Sequence, residues 1–166
     1  SAFSVEDAEL LASLRCESIK IPSFEVNNKN LLKYCMVNFQ TIFISTGTAN
    51  ENEILELREL FKNWKGNLIV MHCVSSYPCE PYQINLPRIK HLGKLFNSVG
   101  FSDHTQGIKS TIASLELKPV AIEKHFTTDH NLPGRDNKFA ILSTELKELT
   151  DFILIREQSY IDHGMR

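Results

Sequence analysis

Apolar residues along this chain recur first at helical spacing, then in a short continuous run, and the two patterns alternate from one end to the other. Ser4-Val-Glu-Asp7 resembles a capping box ahead of Ala8, Leu10, Leu11 and Leu14, which share one helical face, so the chain opens on a helix. The run at 18–22 predicts a first short strand, 28–36 a helix, and Thr41-Ile-Phe-Ile-Ser45 a second strand. Thr48 with Glu51 forms a capping-box candidate for the next helix, whose inward stripe is Ile54, Leu57, Phe61 and Trp64 and whose end falls at Gly66. A third strand is expected over 67–73, a helix over 87–96, a fourth strand ending at 100–102, a helix over 108–117 and a fifth strand over 120–126. Ser143 is the expected cap of a long final helix reaching about Ile161.

Five strands alternating with helices, with no linker and no shift of composition, predict repeated βα units and a parallel sheet. A complete (β/α)₈ barrel takes about 250 residues, and 166 residues fall short by several units. Every predicted strand ends in chemically useful side chains: Lys20 and Ser23, Ser45 and Thr46, His72 and Ser75, Ser102 and His104, Glu123 and His125. An open doubly wound sheet concentrates its functional residues at one crevice where strand order reverses. The even distribution instead favours the carboxyl-end face of an incomplete TIM (β/α)₈ barrel of about five parallel units, an α/β fold.

Composition narrows the partners. Hydrophobic residues make up 42% of the chain and charged residues 23%, and the net charge is −2. No basic stripe points to nucleic acid, and no apolar run approaches the roughly 18 residues of a membrane span. Cys16, Cys35, Cys73 and Cys79 lack Cys-x-x-Cys spacing, so reduced, mostly buried thiols are expected. The amino terminus has no signal-peptide pattern, and the cytoplasm is the expected location.

The candidate chemistry centres on His104 and His125, each just past the apolar stretch of consecutive predicted strands. Parallel neighbours lie about 4.8 Å apart, so the two imidazoles can converge on one divalent metal. Each can equally serve as a hydrogen-bonding residue of a strand-end loop.

Ile19-Lys-Ile-Pro-Ser23, Ile44-Ser-Thr-Gly47, Met71-His-Cys73 with Ser76-Tyr-Pro78, Ser102-Asp-His-Thr105, Glu123-Lys-His-Phe-Thr127 and Asn131-Leu-Pro-Gly-Arg-Asp136 occur in this order. Together they resemble the sialic acid synthase family, which includes legionaminate and pseudaminate synthases. The resemblance spans nearly the whole chain and implies condensation of phosphoenolpyruvate with an N-acetylated mannosamine-type hexose, giving a nonulosonic acid and phosphate. It implies a divalent metal, Mn²⁺ or Mg²⁺, with His104 and His125 as ligands. Lys20 and Ser23 resemble the phosphoenolpyruvate contacts, and Ser45 and Ser102 stand where its carboxylate or phosphate is held. Tyr77 and Asp136 look like sugar-site residues. Glu123 is the acid/base candidate, or else a structural residue orienting Lys124 or a ligand. Ser75 stands where family members carry asparagine, and His72 fits its motif without needing to touch metal.

The resemblance also implies that 1–166 is a partial synthase barrel domain from the later part of the barrel, without the family's first strands and its small antifreeze-like domain. Exposed barrel edges then predict a homodimer or other self-association, and weak or absent turnover of the isolated chain. Two other functions fit the same residues. One is a noncatalytic sugar- or phosphate-binding fragment. The other is a metal-dependent barrel hydrolase, with His104 and His125 activating water and Glu123 as base, which needs a fuller ligand set.

Overall fold

The computed structural model describes residues 1–162 and Gly164. Five strands form one parallel sheet in sequential order: β1 (Ser18–Ile21), β2 (Thr41–Ser45), β3 (Asn67–Cys73), β4 (Val99–Asp103) and β5 (Ile122–Lys124). Helices α1 (Val5–Ser13), α2 (Lys29–Asn38), α3 (Glu51–Phe61), α4 (Pro87–Leu92), α5 (Lys109–Ser114) and α6 (Ser143–Ser159) alternate with them. Each crossover returns the chain to the next neighbouring strand, the winding of a barrel wall and not of a doubly wound sheet.

The sheet is strongly curled. β1 and β5 are its two edges, and in a flat sheet they would lie about 19 Å apart, four strand spacings. Yet Lys20 Nζ on β1 sits 3.2 Å from Glu123 Oε2 on β5. The architecture is therefore a half-barrel whose concave face carries Lys20, Met71, Ser102 and Glu123. Alternation along each strand turns Ile19, Ile21, Ile42, Ile44, Val70 and Phe101 to the convex face. There they form one core with Leu31, Leu32, Cys35, Ile54, Leu57, Ile89 and Leu92 of the helices. Gly100 is required on the concave side, because a Cβ there would collide with Met71 Sδ and come within 2.9 Å of the Ala121 carbonyl oxygen.

Several local expectations are corrected. Asn50, not Thr48, caps α3, in a reciprocal box with Glu53, and the Thr48 hydroxyl instead donates to the Ser23 carbonyl at 2.7 Å. Helix α3 stops at Phe61, so Trp64 lies beyond it and anchors through an indole N–H donated to the Met36 carbonyl at 2.7 Å. Gly66 is therefore no helix terminator; a Cβ there would strike the Trp64 ring. Helix α4 ends at Leu92 and α5 at Ser114, followed by a 3-10 turn over Leu115–Leu117. Strand β5 is shorter than expected because the chain past Lys124 pairs instead with Ile141, through a bridge from Phe126. Ser143 is the first residue of α6, which ends at Ser159, and the Leu142 amide is satisfied by Glu145.

Candidate functional site

The carboxyl ends of the strands gather most of the expected side chains on one concave surface. His104 follows β4 and is nearly buried; its Nδ1 lies 2.8 Å from the Val74 carbonyl oxygen. A carbonyl only accepts, so Nδ1 carries the proton and Nε2 keeps its lone pair, with Ser102 Oγ 3.4 Å away. His125 follows β5, its ring centroid 5.4 Å from that of His104 and the two rings edge to face. Asp136 Oδ2 stands 3.4 Å from His125 Nδ1. The Tyr77 ring packs 4.3 Å from His104 and 5.8 Å from His125, roofing the pair.

Below the histidines lie the Lys20–Glu123 ion pair and a cluster of small polar groups. The Ser23 hydroxyl accepts the Gly47 amide at 2.9 Å and lies 3.2 Å from Cys73 Sγ. A Cβ on Gly47 would come within 2.5 Å of Ser75 Oγ and 2.6 Å of Cys73 Sγ, so only glycine lets these groups converge. Among the described residues Ser75 Oγ is buried with no partner of good hydrogen-bond geometry, its side chain lying near the Tyr77 hydroxyl. Ser45 ends β2 and is buried beside this cluster, paired in register with Met71.

A cleft of about 570 Å³ opens beside His125 and is walled by Ser23, Phe24, Tyr77, Gln106, Asp136 and Phe139, among others. The loop that carries Arg135 and Asp136 is tied down by Asn137. Its carbonyl oxygen accepts from the Thr127 hydroxyl at 2.6 Å, and its amide group donates to the Leu132 and Pro133 carbonyls at 3.3 and 3.0 Å. Gly134 permits the loop's turn, with φ at 125°.

The model of the NeuB family matches residues 1–163. The chain belongs to the NeuB family. It is 40% identical over 151 residues to the N,N'-diacetyllegionaminic acid synthase of Campylobacter jejuni, covering 89% of this chain and 45% of that protein. It is 34% identical over 164 residues to the pseudaminic acid synthase of the same organism, covering 98% of this chain and 48% of that one. The crystal structure of N-acetylneuraminic acid (sialic acid) synthetase from Leptospira borgpetersenii in complex with citrate superposes with a TM-score of 0.89 at 31% identity. That match takes in 99% of this chain and 59% of that one. This NeuB chain thus spans about half the length of the curated relatives it matches. The family is one of sialic and other nonulosonic acid synthases, enzymes of carbohydrate biosynthesis. No helix among the described residues is long and apolar enough to cross a membrane.

Burial holds the His104 pKa below its ordinary value of 6.5, with His125 adding repulsion, against the opposing pull of the Val74 carbonyl. His72 is lowered in the same direction, again chiefly by burial. Both imidazoles are neutral at neutral pH. A base with a depressed pKa favours the folded state above its unfolded value, and that preference is lost as pH falls through the folded one. The thermal midpoint of the metal-free NeuB chain is therefore expected to be level with respect to these two groups above about pH 6.5 and to decline below it. Replacing His72 by glutamine should shrink that acid-side decline in a calorimetric pH series. A midpoint that rises on acidification through this range would contradict the neutral-imidazole arrangement.

Two residues of the motifs lie away from the site. His72 points to the convex side, where its Nε2 is 2.7 Å from the Ile84 carbonyl oxygen and its ring stacks on Phe101. Lys124 likewise points outward, so Glu123 does not orient it; Glu123 faces the lumen and meets Lys20. Gly47, Gln106, Arg135 and Phe139 join the site without having been singled out from sequence. For Gly47 the Ser-Thr-Gly motif is a usable signal, and for Arg135 the motif over 131–136, whereas Gln106 and Phe139 lie outside the motifs on segments whose course no periodicity predicts.

Proposed function

We propose that this NeuB chain supplies the carboxyl-end catalytic face for condensing phosphoenolpyruvate with an N-acetylated mannosamine-type sugar, with release of phosphate. The observation that carries the reading is the facing pair of histidines, one with an unprotonated Nε2 that faces the Ser102 hydroxyl, at the end of a concave face that carries a lysine and converging hydroxyls. The donor set fits a divalent metal: His104 and His125 would hold Mn²⁺ or Mg²⁺, which supplies Lewis-acid polarisation of the sugar aldehyde when bound. Among the described residues no group of three His, Cys, Asp or Glu side chains converges. That favours an open site for substrate oxygens over the fuller ligand set of a hydrolase.

Lys20 provides a compact positive charge for the phosphoenolpyruvate anion, and Ser23, Ser45, Ser75 and Ser102 provide directional hydroxyl donors around it. Carbon 3 of the enol attacks the aldehyde carbon, water adds at carbon 2, and phosphate departs by C–O cleavage. Glu123 moves the proton of that water or of the nascent hydroxyl. Tyr77 offers a ring face and hydroxyl to the sugar, and Asp136 accepts from sugar hydroxyls while restraining His125.

The test is phosphate release from phosphoenolpyruvate with manganese, supplying N-acetylmannosamine or a diacetylated analogue. The 166-residue chain is compared with one extended at both ends to the length of its relatives. Release that requires both sugar and metal is the expected result in the extended chain. Release that is independent of sugar, or none in either chain, would overturn the reading.

A further inference from the structure

Behind the two histidines, on the convex side of the sheet, lies a buried ion pair that the proposed chemistry does not use. Asp103 and Lys124 are neighbours in register on β4 and β5, with side chains 0% and 5% exposed and Nζ 3.0 Å from Oδ2. Asp103 also accepts the Thr111 hydroxyl on Oδ2 at 2.6 Å and the Thr105 amide on Oδ1 at 2.9 Å. Lys124 donates a second bond, to the Thr105 carbonyl, at 2.7 Å.

The placement of these bonds is specific. Asp103 immediately precedes His104 and Thr105 immediately follows it, so one ammonium holds the Asp103 carboxylate on one side of that histidine and the Thr105 backbone carbonyl on the other. Lys124 itself immediately precedes His125. Because side chains alternate across a strand, a residue gripping the convex side forces its neighbour toward the concave side. A buried pair of this kind is seldom needed for stability, since well-packed apolar residues serve as well. A purely structural account leaves unexplained why both charges flank the histidines.

We propose that Lys124 and Asp103, aided by Thr111, are positioning residues that fix the separation and orientation of His104 and His125. The proposal rests on the two-histidine reading only for its consequence, metal affinity. The ring geometry is a property of the metal-free chain.

The test uses the 166-residue protein with two changes of different severity. Asp103→Leu combined with Lys124→Met removes both charges together and avoids stranding either one. Thr111→Val is close to isosteric and leaves both charges in place. Three quantities are read: the thermal midpoint, the nuclear Overhauser cross-peaks between the His104 and His125 ring protons without metal, and Mn²⁺ affinity by titration.

The double variant is expected to stay folded, to lose the inter-ring cross-peaks, and to bind Mn²⁺ roughly 10- to 100-fold more weakly, the usual effect of removing partners that orient metal ligands. Thr111→Val is expected to show the same changes at a few-fold scale, and it decides the matter if the double variant does not fold. Folded variants that keep both the cross-peaks and the affinity would overturn the proposal. If the unaltered chain shows the cross-peaks but binds no Mn²⁺, and the variants lose the cross-peaks, the positioning role stands and the metal reading fails instead.

Discussion

His125→Ala is expected to weaken Mn²⁺ binding on the order of 10³-fold, equivalent to about 4 kcal/mol, while leaving the thermal midpoint almost unchanged. The asymmetry follows from where His125 sits. Its side chain is about 30% exposed, and its charged neighbour Asp136 is 62% exposed and solvated. Removing the imidazole thus strands no buried group, yet among the described residues it takes away one of the two facing imidazoles that would hold the proposed ion. The informative control is His72→Leu, at a histidine from the same set of motifs. That change leaves the buried Ile84 carbonyl without its 2.7 Å partner, a loss of about 1–3 kcal/mol, so the thermal midpoint should drop by several degrees. Its effect on Mn²⁺ affinity should be negligible, because the ring lies on the opposite face of the sheet. Equal losses of affinity in the two variants would show that the ligands are not those on the concave face.

The contrast between His72 and His125 also shows what a sequence reveals and what it does not. Both follow apolar runs; the runs alternating with helices give the five strands and their parallel arrangement, and the spread of polar residues over every strand end gives the incomplete barrel. Which face a strand-end residue adopts depends on register. Register becomes visible only from pairs such as Cys73 with Ser102 and Asp103 with Lys124. Thr48 lost its expected capping role for a comparable reason. Its hydroxyl found a tertiary acceptor in the Ser23 carbonyl, and Asn50 with Glu53 supplied the cap two residues later. Trp64 continues the helical stripe in sequence, but the helix has ended, and a hydrogen bond to the Met36 carbonyl anchors the ring instead. The loop bearing Asp136 was recognisable as a motif. Its shape depends on Asn137 and Thr127, ten residues apart, a pairing that no local propensity encodes.

How tightly the barrel wall curls was not legible in the apolar runs, and it has the most direct chemical consequence, since it brings Lys20 of the first strand against Glu123 of the last. In the proposed site an incoming phosphoenolpyruvate competes with Glu123 for that ammonium. Lys20→Met should therefore weaken phosphoenolpyruvate binding about 10- to 100-fold, the loss of one charge-assisted contact worth roughly 1.5–3 kcal/mol. Mn²⁺ affinity should be unaltered, because Lys20 does not touch either histidine. Lys20→Arg should restore only part of the loss, since a planar guanidinium does not reproduce a compact ammonium in a lumen shaped around it. Glu123→Gln is expected to act with the opposite sign on binding. It releases Lys20 from its carboxylate partner and removes a negative charge from the neighbourhood of an anion, so phosphoenolpyruvate should bind at least as tightly as before. Product formation, measured in a chain that turns over, should nonetheless fall about 10²- to 10⁴-fold if Glu123 moves the proton. Calorimetric titration with phosphoenolpyruvate separates the two effects. Weaker binding in Glu123→Gln would mean that the carboxylate serves to hold Lys20 in place, and its assignment as the acid/base group would then have to be abandoned.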